Sequence, residues 1–294
     1  MLKGKFPIIL SALLLSQTSF LYAENISLLV DSNAAVKLAG GFLFTEGPAS
    51  DENGDIFFND LPSNRTLKWK YSSGEVSVIR ENTGRANGMR FGPDGLLYVC
   101  EVEHRRLVST TRGKNPELVA SHYKFNQLNS PNDLWIDNTG GIYFTDPRYR
   151  DYEGLEQDGY HVYYLDNSSG QLSRVCEDLV KPNGIIGNLA NQYLYIADEG
   201  DDSIYRYSIE RPGVIGGKEL FADHNADGLT LDEKGNLYVA GKQVEVFSPL
   251  GNHIGTISTP EKPANLTFGG ADRKLLFITA QTSIYGVQMR VSGQ

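Results

Sequence analysis

The sequence predicts an all-β protein, a six-bladed β-propeller whose ring is closed by an N-terminal strand completing the last blade. Three observations carry that expectation. A short aromatic strand recurs six times, as "DIFFND" (55–60), "LLYVCE" (96–101), "GIYFTD" (141–146), "YLYIAD" (193–198), "NLYVAG" (236–241) and "LLFITA" (275–280). Turn chemistry precedes each copy, as at Asn53-Gly54, Asp94-Gly95 and Gly235-Asn236, where glycine and Asn supply backbone conformations other residues resist. Outside the first 23 residues no long stretch keeps a helical period. A period of about 40 to 50 residues with four short strands is that of a propeller blade.

The elements follow in chain order. Residues 1–23, "MLKGKFPIILSALLLSQTSFLYA", carry Lys3 and Lys5, then an apolar run, then a small-residue end at Ala23. That is the layout of a secretory signal peptide, and the run is too short and broken for a spanning helix. The expectation is cleavage between Ala23 and Glu24 and an exported protein, periplasmic or secreted, with no Cys at the cleavage site to carry a lipid. Residues 24–294 then form one propeller domain. "AAVKLAG" (34–40) supplies the outer strand of the last blade beside "SIYGVQM" (283–289). Between the hairpins lie further alternating runs, such as "RTLKWK" (65–70), "HVYYLD" (161–166) and "SIYRYS" (203–208). Two packed β-sandwiches would not explain one period through the whole chain.

Composition narrows the partners. The formal charge is −9, and removing residues 1–23 makes it more negative. Such a chain repels nucleic acid and anionic membranes, which leaves a small molecule as the expected partner. Nothing indicates an oligomeric state. Cys100 and Cys176 make no disulfide framework. Cys100 falls mid-strand, so two buried free thiols are expected.

Eleven residues before Phe57, Tyr98, Tyr143 and Tyr238 stand Glu46, Asn87, Asn132 and Asp227; twelve before Tyr195 and Phe277 stand Asn183 and Asn265. All six are carboxylates or amides. The innermost strand of every blade lines the central channel, so equivalent residues at the strand starts converge at one end of the axis. Six oxygen-bearing side chains suit one hard divalent cation, calcium first, with magnesium and manganese behind it. Zinc comes last, because the five His show no ligand spacing and there is no CxxC. Asn87 and Asn132 are placed to hydrogen-bond a substrate there. Asp60, Glu101, Asp146 and Asp198 end the neighbouring strands and are expected to make that face strongly negative. There is no GxSxG, P-loop or GxGxxG. Four Asn-x-Ser/Thr triplets, including one at Asn265 inside the channel, read as chance matches.

These residues carry a resemblance. The runs "FTEGPASDENGDIFFND", "NGMRFGPDGLLYVCE", "LNSPNDLWIDNTGGIYFTDPRY", "KPNGIIGNLANQYLYIADE", "ADGLTLDEKGNLYVAG" and "PANLTFGGADRKLLFITA" span most of the chain. It resembles the SMP-30/gluconolactonase/luciferin-regenerating-enzyme-like family, six-bladed propellers with one divalent metal, usually calcium, many of which hydrolyse lactones. The resemblance implies Glu46, Asn183 and Asp227 as metal ligands. It makes Asn132 a ligand or substrate contact at the same ion, and Asp227 the catalytic acid/base. It implies a metal-dependent hydrolase opening a lactone ring, with a sugar lactone such as gluconolactone as the first substrate. Hydrolysis of aryl esters or organophosphates at the same ion is one alternative, and a non-catalytic calcium-binding propeller another. The chain departs from the family pattern at Ser130, where relatives place an Arg, and at Val102, where they place a His.

Overall fold

The computed structural model describes residues 25–111, 115–149 and 153–294. The expected leader, residues 1–23, lies outside the described residues, as do positions 112–114 and 150–152.

Six four-stranded antiparallel sheets form six blades. Their inner strands are Thr45–Ser50, Ala86–Phe91, Leu134–Ile136, Pro182–Gly187, Leu229–Leu231 and Asn265–Gly269. Their second strands are Ile56–Asp60, Leu97–Glu101, Ile142–Asp146, Tyr193–Asp198, Leu237–Ala240 and Leu275–Ala280, the six aromatic runs read from the sequence. Each inner strand packs on the inner strands of the next and the previous blade, and the sixth returns to the first, so the ring is closed. Val36–Gly40 pairs antiparallel with Ser283–Gln288 as the outer strand of blade 6. The same seam is held at the centre: Thr45 N donates to Gln281 O (2.8 Å) and Thr45 Oγ1 to Ser283 O (3.0 Å).

The core lies between the blades. In blade 1, Phe57 packs with Met89, Leu97 and Val99 of blade 2, while Ile56 and Phe58 pack with Leu275 and Phe277 of blade 6. In blade 2, Leu97 and Val99 face blade 1, whereas Tyr98 and Cys100 face Leu134 and Phe144 of blade 3. A strand sends successive side chains to opposite faces, and in this ring both faces meet another sheet. That is why the second strands read as continuous apolar runs rather than as alternation. Cys100 and Cys176 are buried free thiols, as expected. Among the described residues no helix is long and apolar enough to cross a membrane.

Candidate functional site

The chain makes the ring residues converge by a local device. The inner strands of blades 1, 2 and 4 are bulged between Glu46 and Ala49, between Ala86 and Met89, and between Pro182 and Ile185. A bulge re-aims a side chain, here at Glu46, Asn87 and Asn183. In four blades the ring residue is followed by glycine: Gly47, Gly88, Gly184 and Gly228. A Cβ on Gly47 would lie 1.8 Å from Asn87 O, and one on Gly184 would lie 2.2 Å from Asp227 O. Only glycine lets adjacent inner strands approach this closely. The contact is hydrogen-bonded as well. Gly88 N donates to Asn132 O (2.8 Å), Gly184 N to Asp227 O (2.8 Å) and Gly228 N to Ala264 O (2.9 Å). Asn59 Nδ2 donates to Asn87 O (2.6 Å) and Thr145 Oγ1 to Asn183 O (2.7 Å).

Glu46, Asn87, Asn132, Asn183 and Asp227 line one cavity of about 350 Å³ at a mouth of the channel. Asn265, the sixth ring residue, sits in the channel outside that lining. Its Nδ2 approaches Asp133 Oδ2 of the opposite blade (3.4 Å) and its Oδ1 accepts from Leu266 N (2.8 Å). Asp133 was missed by sequence reasoning. It occupies the slot that is glycine in four blades, and that break in the pattern was the signal.

The acids of the mouth are under strain. Burial drives the Glu46 carboxyl well above the usual range, and the charges of Asp227 and Asp133 push the same way against the Gly47 N–H (2.7 Å). Asp227 is raised as well, first by burial and then by Glu199 and Asp133. The Asn183 Nδ2 that donates to its Oδ1 (2.8 Å) pulls it back. Burial pushes Asp133 up to about 6, opposed by Leu134 N and Arg90. Neither Glu46 nor Asp227 makes an ion pair with a Lys, Arg or His among the described residues. Two such acids stay together when protonated or when a cation lies between them. Among the described residues no three His, Cys, Asp or Glu side chains gather as a metal centre. The donors present, two carboxylates with the amide oxygens of Asn183 and Asn132, are all hard oxygens and fit a calcium-like ion that completes its shell with water.

The strand-end acids need a correction. They do not form a negative rim around the mouth; all four are buried, and three of them face the backbone. Asp60 Oδ1 accepts from Leu43 N and Phe44 N (both 3.1 Å). Asp146 accepts from Asn129 N (2.8 Å) and Ser130 N (2.7 Å), and Asp198 from Val180 N (2.8 Å) and Lys181 N (2.6 Å). In each case the clasped segment ends two residues before a ring residue, Glu46, Asn132 or Asn183. Glu101 instead bonds Arg80, Arg106 Nε (2.6 Å) and His104 Nδ1 (2.9 Å). Asp60, Asp146 and Asp198 thus latch the approach to three of the six inner strands.

The same cavity is lined by Arg85, Arg105, Arg148, Tyr149 and Glu199, none of which the sequence singled out. Lys181 Nζ lies 3.9 Å from the centre of the Tyr149 ring and 3.4 Å from Glu199 Oε2. Only Arg85 had a readable signal, since it precedes Asn87 by two residues, as Ser130 precedes Asn132. At the other end of the channel lies a separate cavity of about 330 Å³ lined by Arg90, Arg273 and Gln294.

Known proteins resemble this chain in sequence and fold. The chain is 26% identical to a gluconolactonase of Zymomonas mobilis, over 92% of this chain and 86% of that one. It superposes on a gluconolactonase of Xanthomonas campestris with a TM-score of 0.82 at 29% identity, covering 87% and 89% of the two chains. The calcium-binding protein regucalcin of Agrobacterium tumefaciens shares the fold, with a TM-score of 0.75 at 18% identity over 89% and 95%. Residues 44–282 match the model of the SMP-30/Gluconolactonase/LRE-like region, and the chain belongs to that family.

Proposed function

We propose that the protein is a divalent-metal-dependent lactonase working at the mouth built on Glu46, Asn132, Asn183 and Asp227. The carrying observation is that these four side chains line one cavity and that, among the described residues, neither Glu46 nor Asp227 has a cationic side chain in ion-pair contact. The similarity to gluconolactonases of two bacteria supports the lactone as substrate class. Glu46, Asn183 and Asp227 would hold the ion, with Asn132 as ligand or substrate contact. When bound, it would polarise the lactone carbonyl and balance the acids' charge.

The chain's own residues do the rest. Asn183 fixes Asp227 through its Oδ1, which leaves Oδ2 to take a proton from the attacking water. Water attacks the acyl carbon, the bond from that carbon to the ring oxygen breaks, and Asp227 returns the proton to the departing oxygen. The backbone of Asn87 is held through its carbonyl by Asn59 Nδ2, and that of Asn132 through its N–H by Thr145 O (2.9 Å), and their side-chain amides, which line the cavity, would hold the substrate. The cavity's lining includes the exposed Glu103, so the mouth opens to solvent, which supports an enzyme over a purely structural ion site.

The test is acid release from a panel of γ- and δ-lactones, with aryl esters and an organophosphate beside them. Chelator should abolish activity and calcium, magnesium or manganese should restore it. Inertness of metal-loaded protein toward the whole panel would defeat the reading. We further propose export, with residues 1–23 removed. Mass spectrometry of the native protein should find Glu24 first, and an intact Met1 would refute it.

A further inference from the structure

The cavity walls are divided by charge. Glu46, Glu199 and Asp227 come from blades 1, 4 and 5, whereas Arg85, Arg105 and Arg148 come from blades 2 and 3. The exposed Glu103 is the one acid on the arginine side. Three guanidinium groups gathered in one pocket of a chain of net charge −9 run against the composition.

Two of the three are tied into the protein. Arg105 Nε donates to Leu128 O (2.7 Å) and Asn129 O (3.1 Å), and its Nη1 lies 3.5 Å from Glu156. Arg148 is not free either, and it lies close enough to Arg105 for their charges to oppose each other. Arg85 differs. Its backbone is left-handed (φ 54°) after a left-handed Gly84 (φ 64°), and its N–H is fixed by Asn64 Oδ1 (2.8 Å). Its half-buried side chain makes no hydrogen bond or ion pair among the described residues. A strained and anchored backbone thus presents an uncommitted guanidinium to the cavity.

Arg85 also answers the two departures from the family pattern. Ser130 Oγ donates to Val102 O (3.0 Å), so the residues that replace Arg and His touch each other and leave the cavity wall without either polar group. Arg85 enters that wall from blade 2, in the slot two residues before its own ring residue. A neutral polyol lactone would leave this guanidinium without a matching acceptor, while an anionic group accepts two of its N–H bonds at once.

We propose that the substrate is a lactone bearing an anionic substituent, a carboxylate, phosphate or sulfonate, bound by Arg85 in the field of Arg105 and Arg148. This rests on the lactonase reading and names its substrate class. The experiment compares kcat/KM for a neutral sugar δ-lactone with lactones of the same ring bearing a carboxylate, a phosphate or a sulfonate, in metal-loaded full-length protein. At least one anionic lactone should be preferred, and the preference should shrink as salt rises. Arg85→Gln should cut the ratio of anionic to neutral kcat/KM by about 10- to 100-fold, the scale of a charge-assisted contact. The loss should fall in KM, and Arg85→Lys should recover part of it. Turnover of the neutral lactone with no anionic preference, or a ratio unchanged in Arg85→Gln, overturns this inference and leaves the lactonase reading standing. Inertness toward every lactone by folded, metal-loaded protein overturns both.

Discussion

Two sets of acids sit near the axis of this ring, and only blade 1 carries a member of each. Glu46 and Asp227 stand at the channel mouth, while Asp60, Asp146 and Asp198 end the second strands. Both sets lie largely out of water. The second set spends its oxygens on two backbone N–H groups each. Among the described residues Glu46 accepts from one backbone N–H, that of Gly47, with the Asn265 amide also near it, and Asp227 accepts from the amide of Asn183 and from no backbone N–H. Charge and depth therefore do not separate scaffold from site here. What separates them is whether the acceptor capacity is filled by the chain or left for something that arrives.

The sharpest way to break this comparison is to swap charge for shape on each side. Asp227→Asn keeps the volume and one oxygen but removes the base, so lactone turnover should fall by about 10²-fold or more while the melting temperature barely moves. A comparable loss of fold would place Asp227 with the latches. Asp198→Ala should do the opposite and leave the part-buried Val180 N and Lys181 N without their acceptor. The expected cost is about 2 to 4 kcal/mol, read as a lower denaturant midpoint, and Asp198→Asn should cost about half as much. An unchanged midpoint would mean that water replaces the latch.

Gly184→Ala tests how tightly the two sets are joined. The added methyl would meet Asp227 O at 2.2 Å, and overpacking of this kind costs about 1 to 3 kcal/mol. Because the clash displaces a ring residue, rate should fall together with stability, unlike in either acid variant. The smallest effect is expected at Glu101. Burial pushes its carboxyl up, but His104, Arg80 and Arg106 outweigh burial and hold the folded acid below its ordinary value. Ionised Glu101 therefore stabilises the fold above the unfolded value of about 4.3, and this contribution fades as pH falls through the lower folded value. The melting-temperature gap between wild type and Glu101→Gln should close below about pH 4. A gap that persists there undiminished would contradict the assignment.

The fold was legible because each blade repeats one physical demand, a strand buried on both faces, and Phe57, Tyr98 and Tyr143 mark it at intervals of roughly 40 to 50 residues. The ring residues were legible for the same reason. The difference between ligand and latch was not, since "FND" and "IAD" show an Asp without showing whose N–H groups it will meet. Asp133 hid beside Asn132, because strand alternation sends neighbours to opposite faces and a local departure from that rule leaves only a missing glycine as its trace. Arg105, Arg148, Tyr149 and Glu199 come from connecting segments, which carry no period and whose approach to the mouth depends on blades far apart in sequence.

The strand Val36–Gly40, paired with Ser283–Gln288, closes the ring, and this has a kinetic meaning. Nearly the whole chain must be made before the partner of this strand exists, and joining segments so distant in sequence is slow. Until they meet, the edge of blade 6 and the first inner strand stay open to other chains. Once they meet, no blade can leave without parting a neighbour, so opening must start at that seam. The lifetime of the folded protein should therefore be set by five outer-strand residues that never touch the chemistry, and trimming them should shorten it before it alters anything at the mouth.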